Sequence, residues 1–170
     1  MPVLSDRVGT FTDSVIRRMT RINNQYNSIN LSQGFPDFDP PQQLLDALAK
    51  TAYNGPHQYA VTFGAQNFRE ALAKKTSPAL HHEVDPNTEV CVTCGGTEAM
   101  MAAMMTICNP GDKVMIFSPF YENYGADAIL SGAEPIYIPL VPPTYEFDIS
   151  LIEKGFAEGA KALILCNPSN

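Results

Sequence analysis

Three short segments of this 170-residue chain combine residue types that could bind a flat, phosphorylated, heteroaromatic molecule. Residues 94–97 (CGGT) precede an apolar helical pattern, and free amides at a helix N-terminus can hold an anion. Residues 118–124 (SPFYENY) supply aromatic rings that could stack on a planar ligand. Residues 166–170 (CNPSN) supply side-chain amides. Each segment also has a simpler interpretation: a capped strand-to-helix turn, aromatic core packing and an Asn-Pro turn, respectively.

The second half of the chain is predicted to alternate strands and helices. Short β-branched or apolar runs predict strands at residues 88–93, 113–117, 134–140 and 162–166. Helices are predicted at residues 98–108, in a segment that ends near 130, and at 149–157. Pro135 and Pro139 suggest either a strand end or a strand at an edge of the sheet. This alternation predicts an α/β fold: a mostly parallel sheet with flanking helices.

The three candidate segments are expected to meet at one edge of that sheet. All three follow the carboxyl ends of predicted strands, where open α/β sheets bind their ligands. The loops at residues 109–112, 130–134 and 158–161 enter strands from the opposite side. We therefore expect an anion cradle, an aromatic ring and an amide donor to lie close together.

The first half of the chain is predicted to be helical and rich in loops. An amphipathic pattern predicts a helix over residues 13–25, and proline density predicts an extended stretch over 29–41. A second helix should begin after Pro41 and end near residues 54–55, and a third should run from about 65 to 75.

Composition and charge argue against several classes of protein. Eleven basic and 18 acidic residues give a formal net charge of −7, which disfavours a general binder of nucleic acid or anionic membranes. No apolar run reaches the length of a membrane span, and the N-terminus lacks a signal-peptide core. Four cysteines do not form a disulfide scaffold, so reduced thiols and a cytoplasmic location are expected. The lone C-x-x-C (Cys91 and Cys94) falls on a predicted strand, where its side chains would point to opposite faces, so no metal site is expected.

The order and spacing of five segments resemble the class I pyridoxal-phosphate-dependent aminotransferases of fold type I. The matching segments are NLSQGFPDFDPP (30–41), HQYAVTFG (57–64), VTCGGTEAM (92–100), NPGDKVMIFSPFYENY (109–124) and ILCNPSN (164–170). The first two are most similar to the subgroup of kynurenine, glutamine and methionine aminotransferases and some cysteine-conjugate β-lyases. The resemblance implies pyridoxal 5'-phosphate as cofactor, amino-acid and 2-oxo-acid substrates, a homodimer, and a place in amino-acid metabolism or biosynthesis.

The resemblance also implies roles for individual residues. The amides of Gly96 and Thr97 would hold the cofactor phosphate, and Tyr121 would stack on the pyridine ring. Asn170 would form a hydrogen bond to the 3-hydroxyl oxygen of that ring.

Two further residues receive roles by the same resemblance. Tyr59 would reach the cofactor phosphate of the partner subunit, and the backbone of Gly34 would line the substrate site. Cys166 departs from the family pattern, because many relatives have Asn at that position.

The resemblance implies that catalytic residues are missing from these 170 residues. The family needs a lysine that forms a Schiff base with the cofactor, and none of the six lysines follows a strand at the expected edge. We therefore expect the N-terminal portion of a longer enzyme, inactive alone, whose partners include the remainder of the same enzyme. Residues 1–41 would form an arm and a small-domain segment, and 42–170 the first part of the cofactor-binding large domain.

Three alternatives to an aminotransferase remain open at this point. One is a carbon–sulfur β-lyase of the same fold, and another is a non-catalytic truncated fragment. The third is a nucleotide-binding α/β domain that uses the CGGT turn for phosphate.

Overall fold

The computed structural model describes residues 3–11 and 13–170. The chain forms two compact units: one contains Thr93–Asn170 with the N-terminal residues, and the other contains Asp13–Val92. The predicted domain boundary at residue 41 stays a prediction. None of the helices in the described ranges is long and apolar enough to cross a membrane.

The unit formed by Asp13–Val92 contains three helices. They are α1 (Val15–Tyr26), α2 (Gln42–Asn54) and α3 (Gln66–Leu80), which confirms the three predicted helices. Helix α3 continues past the predicted end near residue 75 and includes Pro78 in its last turn. A short 3-10 helix (Asp6–Thr10), which belongs to the other unit, was not predicted.

The unit that contains Thr93–Asn170 is built on a three-stranded parallel sheet. Its strands are β1 (Lys113–Ser118), β2 (Glu134–Pro139) and β3 (Ala160–Ile164), in the order β2-β1-β3. This confirms the predicted parallel α/β architecture, and the proline-bearing strand β2 does lie at an edge. Strand β3 begins two residues earlier than predicted.

Helices cover both faces of the sheet. Helices α4 (Gly95–Ile107) and α5 (Asn123–Leu130) pack on one face, and α6 (Ile149–Ala157) packs on the other. The alternation along β1 explains this arrangement, because successive side chains of a strand point to opposite faces. Val114 and Ile116 join Met104 and Ala128 in one core cluster, whereas Met115 packs with the cluster that includes Ile152 of α6.

The strand predicted over residues 88–93 is wrong. Asp85 holds the start of this segment in a turn: its carboxylate accepts from the Thr88 hydroxyl (2.9 Å), and its carbonyl accepts from the Glu89 amide (2.9 Å). The end of the segment is extended, and the Val92 amide donates to the Phe63 carbonyl (3.0 Å). No strand of the described chain pairs with it, and a β-branched pattern without a partner does not make a strand.

Candidate functional site

The N-terminus of α4 presents free backbone donors. The helix begins at Gly95, three residues before the predicted start, so Gly95, Gly96 and Thr97 form its first turn. The Gly95 amide donates to the Thr93 carbonyl (2.8 Å), whereas the next two amides lie where helix geometry provides no carbonyl partner. A Cβ on Gly96 would meet no atom within 4 Å, so space is open beside these amides. The turn can therefore hold an anion.

The aromatic side chains of the segment after β1 lie in two places: one packs in the core, and others line a cleft at the surface. Phe120 stacks on Tyr137, with ring centroids 5.1 Å apart and planes 6° apart, so it packs as the simpler interpretation predicts. Tyr121 instead lines a cleft, where its ring meets Tyr124 edge-on (5.8 Å, 79°). One aromatic plate is thus available to a ligand.

Four of the six predicted site residues line a single cleft of about 310 Å³: Gly96, Thr97, Tyr121 and Asn170. The three segments therefore meet as expected, although only two of them follow strands of the structure, since residues 88–93 form none. The Thr97 hydroxyl accepts a hydrogen bond from Nδ2 of Asn123 (3.1 Å), which ties α4 to α5 across the cleft.

The other two predicted site residues lie in the Asp13–Val92 unit. The Tyr59 side chain is fully exposed, and a Cβ on Gly34 would meet no atom within 4 Å. Their roles stay predictions.

Two polar residues of the cleft were missed by sequence reasoning. Asn123 is recognised as a site residue only from its hydrogen bond to Thr97 in the structure. Asp127 lies on α5, and burial raises the pKa of its carboxyl. The available signal was a single acidic residue inside the apolar run GADAIL.

Cys166 contacts the tyrosine pair at the edge of the cleft. A hydrogen bond with Cys166 raises the pKa of Tyr124, and the Cys166 sulfur lies 3.4 Å from the Pro168 carbonyl oxygen. The expectation of reduced cysteines is compatible with four free thiols, but only Cys108 is fully buried, and both Cys91 and Cys94 are exposed. The opposite-face argument for the C-x-x-C pair was wrong, since that segment is not a strand.

Basic side chains lie at the far end of the sheet. Lys161 pairs with Asp112 (2.9 Å) and Lys113 with Glu158 (3.7 Å), at the amino-terminal ends of β3 and β1. This confirms that these two lysines lie away from the expected edge. No lysine or arginine of the described residues lines the cleft.

Comparison with known proteins identifies related sequences and structures. The family model described as aminotransferase class I and II matches residues 26–170. The chain is 36% identical to methionine aminotransferase from Escherichia coli over 157 residues, covering 92% of this chain and 41% of the relative. It is 32% identical to a probable N-succinyldiaminopimelate aminotransferase from Mycobacterium tuberculosis over 166 residues, covering 96% and 42% of the two chains.

A solved structure shows the same similarity. The crystal structure of an Escherichia coli protein with a methionine aminotransferase function superposes with a TM-score of 0.91 and 34% identity, covering all of this chain and 44% of that one. The chain therefore spans about two fifths of the length of the relatives that it matches.

Proposed function

Because this chain belongs to the class I and II aminotransferases, a family that uses pyridoxal 5'-phosphate, we propose that its cleft is part of the cofactor site of an amino-group-transferring enzyme. The observation that carries the proposal is the convergence of Gly96, Thr97, Tyr121 and Asn170 on one cleft. These residues fit the cofactor, since they offer amides for a phosphate, a ring for a pyridine and an amide for a ring oxygen.

The first turn of α4 would bind the phosphate. The amides of Gly96 and Thr97 and the positive end of the helix dipole favour an anion without any basic side chain. The Asn123 side chain holds the Thr97 hydroxyl by donating to its oxygen, which leaves the hydroxyl proton free to reach an anion.

Tyr121 and Asn170 would orient the ring. The edge-on contact with Tyr124 fixes the plane of Tyr121, and a fixed plane restricts a stacked ligand to one orientation. The Asn170 amide can donate to a ring oxygen in the same cleft. When bound, the cofactor supplies the electron sink that amino-group transfer requires.

The partner subunit, the cell compartment and the metabolic role also belong to this proposal. The fully exposed Tyr59 ring is available to a second copy of the chain, which supports a homodimer in which each subunit contributes to the other's phosphate site. Four free cysteines support a cytoplasmic protein. Amino acids and 2-oxo acids are the substrates we propose, within amino-acid metabolism or biosynthesis.

The test is a transfer assay with the full-length protein. Methionine and other amino acids are paired with 2-oxo acids, and initial rates are measured over both concentrations; parallel double-reciprocal lines are expected for a ping-pong route. The Tyr121→Ala variant should lose cofactor affinity, whereas Tyr53→Ala, which removes an exposed ring on α2, should not. If protein that retains the cofactor transferred an amino group between none of the substrate pairs tested, the proposal would be refuted. Rapid pyruvate release from cystathionine without an acceptor would instead assign β-lyase chemistry.

A further inference from the structure

A buried acidic side chain forms part of the wall of the cleft. Asp127 lies on α5, and only 3% of the residue is exposed. Its Oδ2 atom is buried and has no hydrogen-bond partner among the described residues. An ionised carboxylate in this state is unfavourable, because it has lost water and gained neither a donor nor a cation.

The titratable groups on the elements packed against the start of α5 do not supply a compensating charge. Helix α4 contributes Glu98, whose carboxylate already accepts from the Cys94 amide. The segment that leads into α5 contributes the phenol groups of Tyr121 and Tyr124, which supply no positive charge.

The other elements packed against α5 also place no compensating positive charge beside Asp127. Strand β2 contributes Tyr137, which stacks on Phe120, and the core cluster on this face contributes the thiol of Cys108, whose pKa burial raises. Arg7 donates to the Leu130 carbonyl (3.1 Å) at the C-terminal end of α5. Lys113 and Glu134 begin β1 and β2, at the amino-terminal ends of the strands.

We propose that Asp127 is a neutral hydrogen-bond donor whenever an anion is bound at Gly96 and Thr97, so that an anion which meets the ionised carboxylate binds together with one proton. The proposal deepens the proposed function and rests on it, since it concerns the same cleft. An ionised Asp127 would repel an anion held beside it, because its own carboxylate is buried and poorly screened by water, and no described cation lines the cleft. A protonated Asp127 carries an O–H donor, and the acceptor it lacks in the described chain is what a phosphate or sulfate oxygen offers.

The proposal predicts how anion affinity depends on pH. Anion binding favours the protonated carboxyl, so it raises the pKa of Asp127 above its value in the free protein. Below the free-state pKa the affinity is constant. Above it, each anion bound must take up a proton, and affinity falls by about tenfold per pH unit until the bound-state pKa is passed.

The experiment is calorimetric titration of sulfate into the full-length protein freed of cofactor. Sulfate stays fully ionised across the neutral range, so any proton taken up comes to the protein. Measurement in two buffers of different ionisation enthalpy, at several pH values, gives the number of protons taken up. Between the free-state and bound-state pKa of Asp127 we expect about one proton per sulfate and a fall in affinity with rising pH; below the free-state pKa we expect no uptake and a constant affinity.

Two variants assign the proton to Asp127. Asp127→Asn keeps the shape and a donor but has no titrating proton, so its sulfate affinity should be independent of pH and its proton uptake close to zero. Asp148→Asn is the matched control: it removes the same charge at the N-cap of α6, where its carboxylate accepts from the Ser150 amide (2.9 Å) and where asparagine also caps. It should behave as the unmodified protein does.

Failure of this proposal is distinguishable from failure of the proposed function. Sulfate binding without proton uptake at every pH measured, on either side of neutrality, or equal uptake by Asp127→Asn, would overturn the role of Asp127 while leaving a cofactor site intact. If the protein bound neither sulfate nor pyridoxal 5'-phosphate at any pH, both proposals would fall. The proton count of the unmodified protein decides the question even if the Asp127→Asn variant does not fold.

Discussion

Replacing Thr97 by valine tests the phosphate role of the first turn of α4. Valine keeps the β-branched shape of threonine and leaves the backbone amides in place, but removes the hydroxyl that meets Asn123 (3.1 Å). A hydrogen bond to a charged group contributes about 1.5–3 kcal/mol, which corresponds to about 10- to 150-fold in affinity. Since Thr97 is exposed, the free energy of unfolding should change by no more than about 0.5 kcal/mol.

The assay compares two ligands on the same full-length protein freed of cofactor. Pyridoxal 5'-phosphate should bind Thr97→Val about 10- to 150-fold more weakly than it binds the unmodified protein. Pyridoxal, which lacks the phosphate, should bind both proteins equally. Asn123→Ala should weaken phosphate binding less, by about 2- to 12-fold, because Asn123 only orients the hydroxyl.

The double variant completes the test. If Asn123 acts through Thr97, Thr97→Val with Asn123→Ala should bind pyridoxal 5'-phosphate no more weakly than Thr97→Val alone. Unchanged affinity of Thr97→Val, or an equal loss for pyridoxal and its phosphate ester, would refute the assignment of the phosphate to this turn.

Three other predictions concern stability and are checked by thermal and denaturant unfolding of the full-length protein. Gly64→Ala should destabilise strongly, because Gly64 has a φ of +105° and an added Cβ would lie 2.5 Å from Cγ2 of Val92. Ile116→Ala should cost about 2–5 kcal/mol, since Ile116 is fully buried in the central strand. The pKa of Asp112 is lowered, first by the backbone amide of Asn109 and then by Lys161. The stabilisation that Asp112 gives to the folded protein is therefore fully present above the ordinary carboxyl pKa of about 4 and is lost as pH falls through the lower folded-state pKa. In Asp112→Asn, the free energy of unfolding should decrease less over this acid range.

Matched variants control for these changes. Gly159→Ala has a similar φ of +88° but no atom within 4 Å of the new Cβ, so it should cost less than Gly64→Ala. Leu165→Ala removes a side chain that is 70% exposed and should change stability by no more than about 0.5 kcal/mol. Equal losses within either pair, or an acid profile unaltered by Asp112→Asn, would contradict the structural reasons given.

The sequence predicted the elements whose partners lie within the described chain. The apolar runs that became β1, β2 and β3 pair with one another, so the pattern and the structure agree there. The run at residues 88–93 is rich in β-branched residues too, but Asp85 holds its start in a turn by hydrogen bonds, and no described strand pairs with it. Local propensity does not report the availability of a partner.

The difference between local pattern and tertiary packing also explains which residues of the cleft could be predicted. Tyr121 and Asn170 follow from a topological rule, because the parallel strands β1 and β3 bring their carboxyl ends to one edge; Gly96 instead begins a helix that no strand of the described chain precedes. Asn123 and Asp127 depend instead on how α5 packs against α4, which the run of apolar residues around Asp127 leaves undetermined. An acidic residue within an apolar helix face is the signal to follow in similar chains.

A crystal structure of the full-length protein with pyridoxal 5'-phosphate tests the central claim most directly. We predict that phosphate oxygens lie within hydrogen-bond distance, about 2.7–3.2 Å, of the amides of Gly96 and Thr97. The pyridine ring should stack on Tyr121, with the Asn170 amide at a ring oxygen. A cofactor bound elsewhere in the protein, with this cleft unoccupied, would contradict the account.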